Sequence, residues 1–340
     1  MTAINKVFGF IRGSVWTVAL ALLFNGCAHT HAPLARFEYR EIHMGVQVRL
    51  VVFAPNEETA RRACRAAFAR VEELDKIMSD WQVDSELARL NAAAGGPPIR
   101  VSDDLFRVLQ HAQEVTEKSD GAFDVTIGPL VKLWRETRKT KQLPSPDALT
   151  KARTLVGWRK MILDAKRKTV LLTERSMRLD LGGIAKGYAG DCALAVLRQH
   201  GIRRALFEAG GDIVLGDPPP GPVAAVYDRR NPDANKAGAH RAPLQGWIIK
   251  LFDTGEIITL ANCAVSTSGD TEQFVEISGV RYSHIVDPST GHGLTNQLAV
   301  TVIARNGLTS DPLSTAISVL GDERGSALAK KFEVKIYLRR

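Results

Sequence analysis

Asp180-Leu181-Gly182-Gly183-Ile184-Ala185-Lys186-Gly187-Tyr188 places a carboxylate at a predicted strand end, then two glycines, then the start of a helix. Met177 to Leu181 reads as a short strand. The helix is predicted over Ile184 to His200, stopped by Gly201 in the C′ position. Such a turn lets backbone approach a ligand closely, and a helix N-terminus favours an anion. Lys186 is placed to meet a phosphate. The spacing meets neither the P-loop pattern nor GxGxxG, so neither nucleotide fingerprint is present. On its own the segment is equally a tight strand–helix turn whose glycines relieve sterics.

Working outward toward the N-terminus, Glu41 to Phe53 carries a β-rich run, Val46, Val48 and Leu50 to Phe53. Pro55-Asn56 then punctuates the chain, with Asn56 as an N-cap. Behind it Ala60, Ala63, Ala67, Val71, Leu74 and Met78 recur at helical spacing. A second helix is predicted from Asp103 to about Lys118, capped by Ser102 and ended near Gly121. Toward the C-terminus, Ala205 to Leu215 is strand-like and broken by Gly210-Gly211. Asp217 to Gly246, rich in Pro, Gly, Asn and Ala, reads as a long surface loop. Trp247 to Ile258, Gln273 to Ile277 and Gln297 to Ala304 are further strands. A last helix is predicted to begin at Asp311, with Pro312 in the first helical position, and Phe332 to Leu338 closes the chain as a strand. Strands and helices mixed without a regular βαβ period argue for an α+β (mixed α/β) fold.

The 340 residues suffice for one large or two modest domains. Residues 1–26 read as a leader: Lys6 and Arg12 give a positive start, Val15 to Phe24 is apolar, and Gly26-Cys27 closes it. The apolar run falls far short of the roughly 20 residues a spanning helix needs. Cys27 directly after a small residue looks like a bacterial lipobox, which makes Cys27 the expected lipidation site and the membrane a partner. Phe24 and Asn25 stand where Leu and a small residue are usual, and an ordinary secretory signal is the plainer alternative. Residues 27–36, with His29 and His31, then form a tether, and residues 37–340 the folded domain.

Past the leader the chain holds 43 basic and 37 acidic side chains, a mild and scattered excess. Its densest groups are Arg135, Arg138, Lys139 and Lys141, then Lys166, Arg167 and Lys168. Neither is interleaved with aromatics or set in a nucleic-acid motif, so both read as solvated faces and nucleic acid is not an expected partner. Cys64, Cys192 and Cys263 are widely spaced, with no zinc-ligand pattern. Cys64 and Cys192 read as small core residues.

Asp311 and Thr315, one helical turn apart, share a face. A carboxylate and a hydroxyl stacked this way offer two hard oxygens to a cation such as Mg²⁺; a capping Asp beside an ordinary Thr is the commoner explanation. His284 stands at a strand end before the turn Asp287-Pro288-Ser289-Thr290-Gly291, where an imidazole can serve as a general base. Trp81, ahead of Ser85-Glu86-Leu87 and Asn91, offers a face to a flat heterocycle, or a core edge.

Taken together and in order, these motifs resemble the ApbE family, the FAD:protein FMN transferases. The matching positions are Met44-Gly45, Ser79 to Asn91, Gly121 to Leu130 with Trp134, and Asp180 to Tyr188. They continue with Gly210-Gly211-Asp212, Ser268-Gly269, His284 to Gly291 and Asp311 to Thr315. They span about residues 40 to 320. The resemblance implies mixed sheets flanked by helices, with an FAD site in a cleft between subdomains. It implies that Met44, Trp81, Ala122, Phe123, Asp124, Asp180, Lys186 and Ile285 contact FAD. Asp311, Thr315 and the carbonyl of Gly183 would hold Mg²⁺, and His284 would stand beside the pyrophosphate, so His284 and Asp311 are the expected catalytic pair. Val46 stands where the family usually has Thr, Pro312 where it has Ala, and the segment before Trp247 departs from the pattern.

The expected activity is Mg²⁺-dependent transfer of FMN from FAD to a threonine or serine hydroxyl of an acceptor flavoprotein, a subunit of a membrane redox complex, with release of AMP. The expected location is the periplasmic face of the bacterial inner membrane. An FAD pyrophosphatase using the same site with water, and a non-catalytic FAD-binding lipoprotein, are the rival readings.

Overall fold

The computed structural model describes residues 33–221, 223–225, 246–251, 255–269 and 273–339. The leader, Cys27 and most of the tether lie outside them, as does most of the 217–246 loop. In chain order the first half contains β1 (Ala35–His43), β2 (Val46–Ala54), α1 (Glu57–Met78), α2 (Glu86–Ala92), β3 (Ile99–Arg100), α3 (Asp103–Lys118), α4 (Gly128–Thr140), α5 (Pro146–Thr154), β4 (Met161–Asp164) and β5 (Thr169–Leu172). The second half contains α6 (Ala185–Gln199), β6 (Ala205–Ala209), β7 (Asp212–Leu215), β8 (Val223–Ala225), β9 (Trp247–Lys250), β10 (Ile257–Leu260), β11 (Ala264–Ser268), β12 (Phe274–Ile277), β13 (Val280–Ser283), β14 (Ala299–Ala304), α7 (Gly307–Lys331) and β15 (Lys335–Arg339).

Seven strands form one sheet in the order β1-β2-β6-β7-β11-β14-β15, every neighbouring pair antiparallel. Among the described residues, parallel pairing of strands is confined to β8 and β9, in a small sheet with β10. The run Leu50 to Ala54 is buried residue by residue. Only a strand covered on both faces permits that, and the large sheet is so covered. Leu50 and Val52 join α1, α3, α6 and α7 in the main core, while Val51 and Phe53 face Trp247 and Ile249 of β9 on the other side. Each such aliphatic side chain contributes about 1.5–3 kcal/mol by leaving water. The α+β expectation holds.

Local chemistry explains where the elements start. Asn56 accepts the Thr59 amide at 2.9 Å, and the apolar positions from Ala60 to Met78 are the buried face of α1. Ser102 accepts the Leu105 amide and opens α3 as expected. The 41–53 run is divided: Met44 and Gly45 both take positive φ (51° and 72°), the geometry of a two-residue hairpin turn, so β1 and β2 are separate strands. Strand β1 already begins at Ala35, inside the expected tether. The three cysteines within the described residues are free thiols.

The run from Trp247 to Ile258 is not one strand but turns back between the antiparallel β9 and β10, and two further expectations need correction. Residues 177–181 form no strand, apart from a single bridge between Arg178 and Ile127. The Asn91 side chain takes the place of a neighbouring strand, donating to the Leu179 carbonyl at 3.1 Å and accepting its amide at 2.7 Å. The last helix begins at Gly307, not Asp311. Asn306 is its cap, accepting the Thr309 amide at 2.9 Å, which puts Pro312 in the second turn. There its missing N–H leaves the Leu308 carbonyl without a helical donor.

Candidate active site

α6 and α7 cross so closely that no side chain fits between them. A Cβ on Gly187 would lie 2.1 Å from the Gly307 carbonyl oxygen, and one on Gly307 2.2 Å from that of Gly187. This contact brings Asp311 under the first turn of α6, where its Oδ2 accepts the Gly187 amide at 3.0 Å. Gly187 therefore makes no helical bond to the Gly183 carbonyl, which has no donor among the described residues. Thr315 packs against the same residue: a Cβ on Gly183 would sit 3.1 Å from Thr315 Oγ1. Gly183, the buried Asp311 carboxylate and the Thr315 hydroxyl thus lie together, and with the Gly183 carbonyl they would offer the hard oxygens that Mg²⁺ takes.

Charge around this point favours a cation. Lys186 Nζ donates to the Gly182 carbonyl at 2.8 Å and pairs with Asp212 Oδ2 at 3.2 Å and Asp311 Oδ2 at 3.6 Å. Burial works against the ammonium, but the two carboxylates outweigh it and hold its pKa above that of an ordinary lysine. Burial, and after it the Asp212 charge, pushes the Asp311 carboxyl up to about 7 against the pull of Lys186. With all three ionised the cluster carries one net negative charge, and Lys186 is already compensated by protein before any phosphate arrives.

A cleft of about 680 Å³ opens from this cluster, within the range of small-molecule sites. Every predicted flavin, phosphate and cation position except the lipidation site lines it: Met44, Trp81, Ala122, Phe123, Asp124, Asp180, Gly183, Lys186, His284, Ile285, Asp311 and Thr315. Trp81 is 56% exposed and lies over Gly45, where a Cβ would be 3.6 Å from its ring. It is an open aromatic face rather than a core edge. Met44 is fixed by its amide, which donates to Asp75 at 3.0 Å.

Asp124 is committed to its own loop. Oδ1 accepts the Thr126 amide and hydroxyl, and Oδ2 accepts the Trp158 amide at 2.9 Å. Burial nonetheless raises its pKa above the usual carboxylate range. The neighbouring Phe123 ring then packs toward Gly183. His284 is exposed on the cleft wall, and its Nδ1 lies 3.1 Å from the Gln273 carbonyl, which also accepts the His284 amide at 3.0 Å. A carbonyl accepts only from a protonated Nδ1, so whenever the ring is neutral this bond puts its proton on Nδ1 and makes Nε2 the basic nitrogen.

Arg135, Arg138 and Asp212 are further parts of the cleft wall. Both arginines, expected on a solvated face, instead follow Ile127 and Val131 along the side of α4 that faces the cleft, while Lys139 and Lys141 are exposed. Arg135 bonds both oxygens of Asp80, next to Trp81, and Asp180 Oδ2 at 2.8 Å. Asp180 Oδ1 in turn accepts the Gly182 amide at 2.9 Å. The recurrence of 127, 131, 135 and 138 at helical spacing was the available signal.

The chain is 33% identical to the FAD:protein FMN transferase of Treponema pallidum (strain Nichols), over 90% of this chain and 85% of that protein. It is 29% identical to that of Vibrio cholerae, over 95% of this chain and 92% of that protein. Among solved structures, the flavin transferase ApbE from Vibrio cholerae superposes with a TM-score of 0.74 at 27% identity, covering 90% of this chain and 94% of that one. The apo form of the Pseudomonas stutzeri flavinyl transferase ApbE also gives 0.74 at 27%, over 90% and 91%. The sequence profile of the ApbE family matches residues 44–338, and the chain belongs to that family.

Proposed function

We propose that the protein is a cation-assisted FAD:protein FMN transferase. The observation that carries the reading is that Gly183, Asp311 and Thr315 sit together in a cleft lined by all the predicted flavin positions. The names of the relatives supply the reaction class.

FAD lies in the cleft with Trp81 as an open aromatic face for a flat ring, and Asp180, held by Arg135, shapes the turn beneath it. Asp311, Thr315 and the Gly183 carbonyl are the residues that would hold Mg²⁺, which supplies charge neutralisation at the pyrophosphate. The hydroxyl of an acceptor threonine or serine attacks the phosphorus of the FMN half. His284 Nε2 takes the hydroxyl proton, a new P–O bond forms, the bond between the phosphates breaks, and AMP departs with the bridging oxygen. The product is FMN joined to the acceptor by a phosphoester.

The leader supports a membrane location for this chemistry. Lys6, Arg12, the Val15 to Phe24 run and Gly26-Cys27 support a lipid anchor on Cys27 at the periplasmic face of the inner membrane, within reach of flavoprotein subunits of membrane redox complexes. Among the described residues no helix is long and apolar enough to cross a bilayer.

Incubation with FAD, Mg²⁺ and a flavoprotein acceptor domain, followed by intact mass of the acceptor, tests the proposal. The expected result is one added FMN mass. Free FMN and AMP with unmodified acceptor would make the enzyme an FAD pyrophosphatase, and intact FAD a carrier.

A further inference from the structure

The candidate cation site is built from two helices, and a residue outside it joins them. Gly183 and Lys186 lie at the entry to α6, whereas Asp311 and Thr315 lie on α7. Asp191 stands on α6 one turn beyond Gly187 and does not line the cleft. Its Oδ1 accepts the Gly307 amide at 2.7 Å, and its Oδ2 the Leu308 amide at 2.8 Å. These are the first two N–H groups of α7, which have no partner within their own helix.

The two contacts mirror one another. Gly187 gives its amide to Asp311, four residues into α7 from Gly307; Gly307 gives its amide to Asp191, four residues into α6 from Gly187. Each helix offers a carboxylate to an amide of the other, one turn to either side of the Gly187–Gly307 backbone contact. The bracket leaves α7 little freedom to slide or tilt on α6. Mg²⁺ demands near-ideal octahedral geometry, so small shifts between its ligands are costly.

We propose that Asp191 is a positioning residue for the cation site: by seating the first turn of α7 on α6 it sets the distance between the Gly183 carbonyl and the Asp311 and Thr315 oxygens. This rests on the cation-assisted reading above. Asn306 provides the internal control, since its side chain caps the same helix at the Thr309 amide, a bond made within α7 itself.

The test uses the full chain with Asp191→Asn, Asp191→Ala and Asn306→Ala. Mn²⁺ affinity is measured by electron paramagnetic resonance without flavin or acceptor, alongside thermal unfolding and metal-free FAD binding. Asn306→Ala is expected to lower the melting temperature and keep Mn²⁺ affinity within twofold. Asp191→Ala is expected to weaken Mn²⁺ at least tenfold, and Asp191→Asn about threefold, because its amide oxygen still accepts one N–H. Metal-free FAD affinity should stay within twofold in all. If Asp191→Ala fails to fold, Asp191→Asn decides alone. Asp191 variants that lose melting temperature like Asn306→Ala yet bind Mn²⁺ like wild type overturn the positioning role. Wild-type protein that binds no Mn²⁺ overturns the cation site itself, and the bracket's purpose with it.

Discussion

Arg135 reaches Asp180 at 2.8 Å while its other amino group holds Asp80, so a single guanidinium ties the Trp81 loop to the turn that opens α6. Both carboxylates are nearly buried, at 12% and 10% exposure, and would repel each other without it. Arg135→Gln is expected to cost about 2 kcal/mol at neutral pH, the scale of hydrogen bonds to charged groups.

That cost should depend on pH. Burial first, and Asp80 next, lift the Asp180 pKa, with Arg135 pulling it back. A carboxyl lifted in the folded state contributes stability below its unfolded value of about 3.9 and loses it as pH rises through the folded value. Removing Arg135 lifts it further, so the gap between wild type and Arg135→Gln widens from pH 4.5 to pH 7.5. Urea unfolding at the two pH values checks this; an unchanged gap contradicts it.

Trp81 is exposed and packs on little besides the hairpin turn. Trp81→Ala should leave unfolding within about 0.5 kcal/mol of wild type. It should weaken FAD by about 1–3 kcal/mol, the range for stacking a base on an aromatic ring. Trp81→Phe should restore most of that. Quenching of flavin fluorescence reads the affinity.

Cation binding must displace the proton from Asp311, whose carboxyl burial and Asp212 push up to about 7. Apparent Mg²⁺ affinity should therefore fall about tenfold per pH unit below 7 and level off above it. Calorimetry in buffers of different ionisation enthalpy should show about one proton released at pH 6 and fewer at pH 8.5. Affinity flat across pH 5.5–8.5 would count against the assigned ligand.

Gly187→Ala would put a methyl group 2.1 Å from the Gly307 carbonyl and 2.8 Å from Asp311 Cβ. Relief requires the helices to part, at about 1–3 kcal/mol for an overpacked core. Thermal unfolding and Mn²⁺ titration should worsen together.

Much of the site was legible because unusual residue types cluster along the chain: Asp180 to Tyr188, His284 to Gly291 and Asp311 to Thr315 each carry their own chemistry. The helices behind Asn56 and Ser102 were legible because cap and apolar period are both local. What was not legible depends on distant partners. The role of Arg135 needs Asp80 and Asp180, 55 and 45 residues away. The true start of α7 is shared between Asn306 and Asp191, the latter 116 residues upstream of Gly307. Residues 177–181 carry a strand-like pattern, but their partners are the Asn91 amide on one side and the Val125–Gly128 loop on the other, which no local period announces.

The most direct test follows AMP and acceptor mass together after mixing the protein with FAD, Mg²⁺ and an acceptor domain. AMP and flavinylated acceptor should rise one for one, and both should vanish with a chelator or with Asp311→Ala. AMP without modified acceptor, or undiminished transfer by Asp311→Ala, would contradict it.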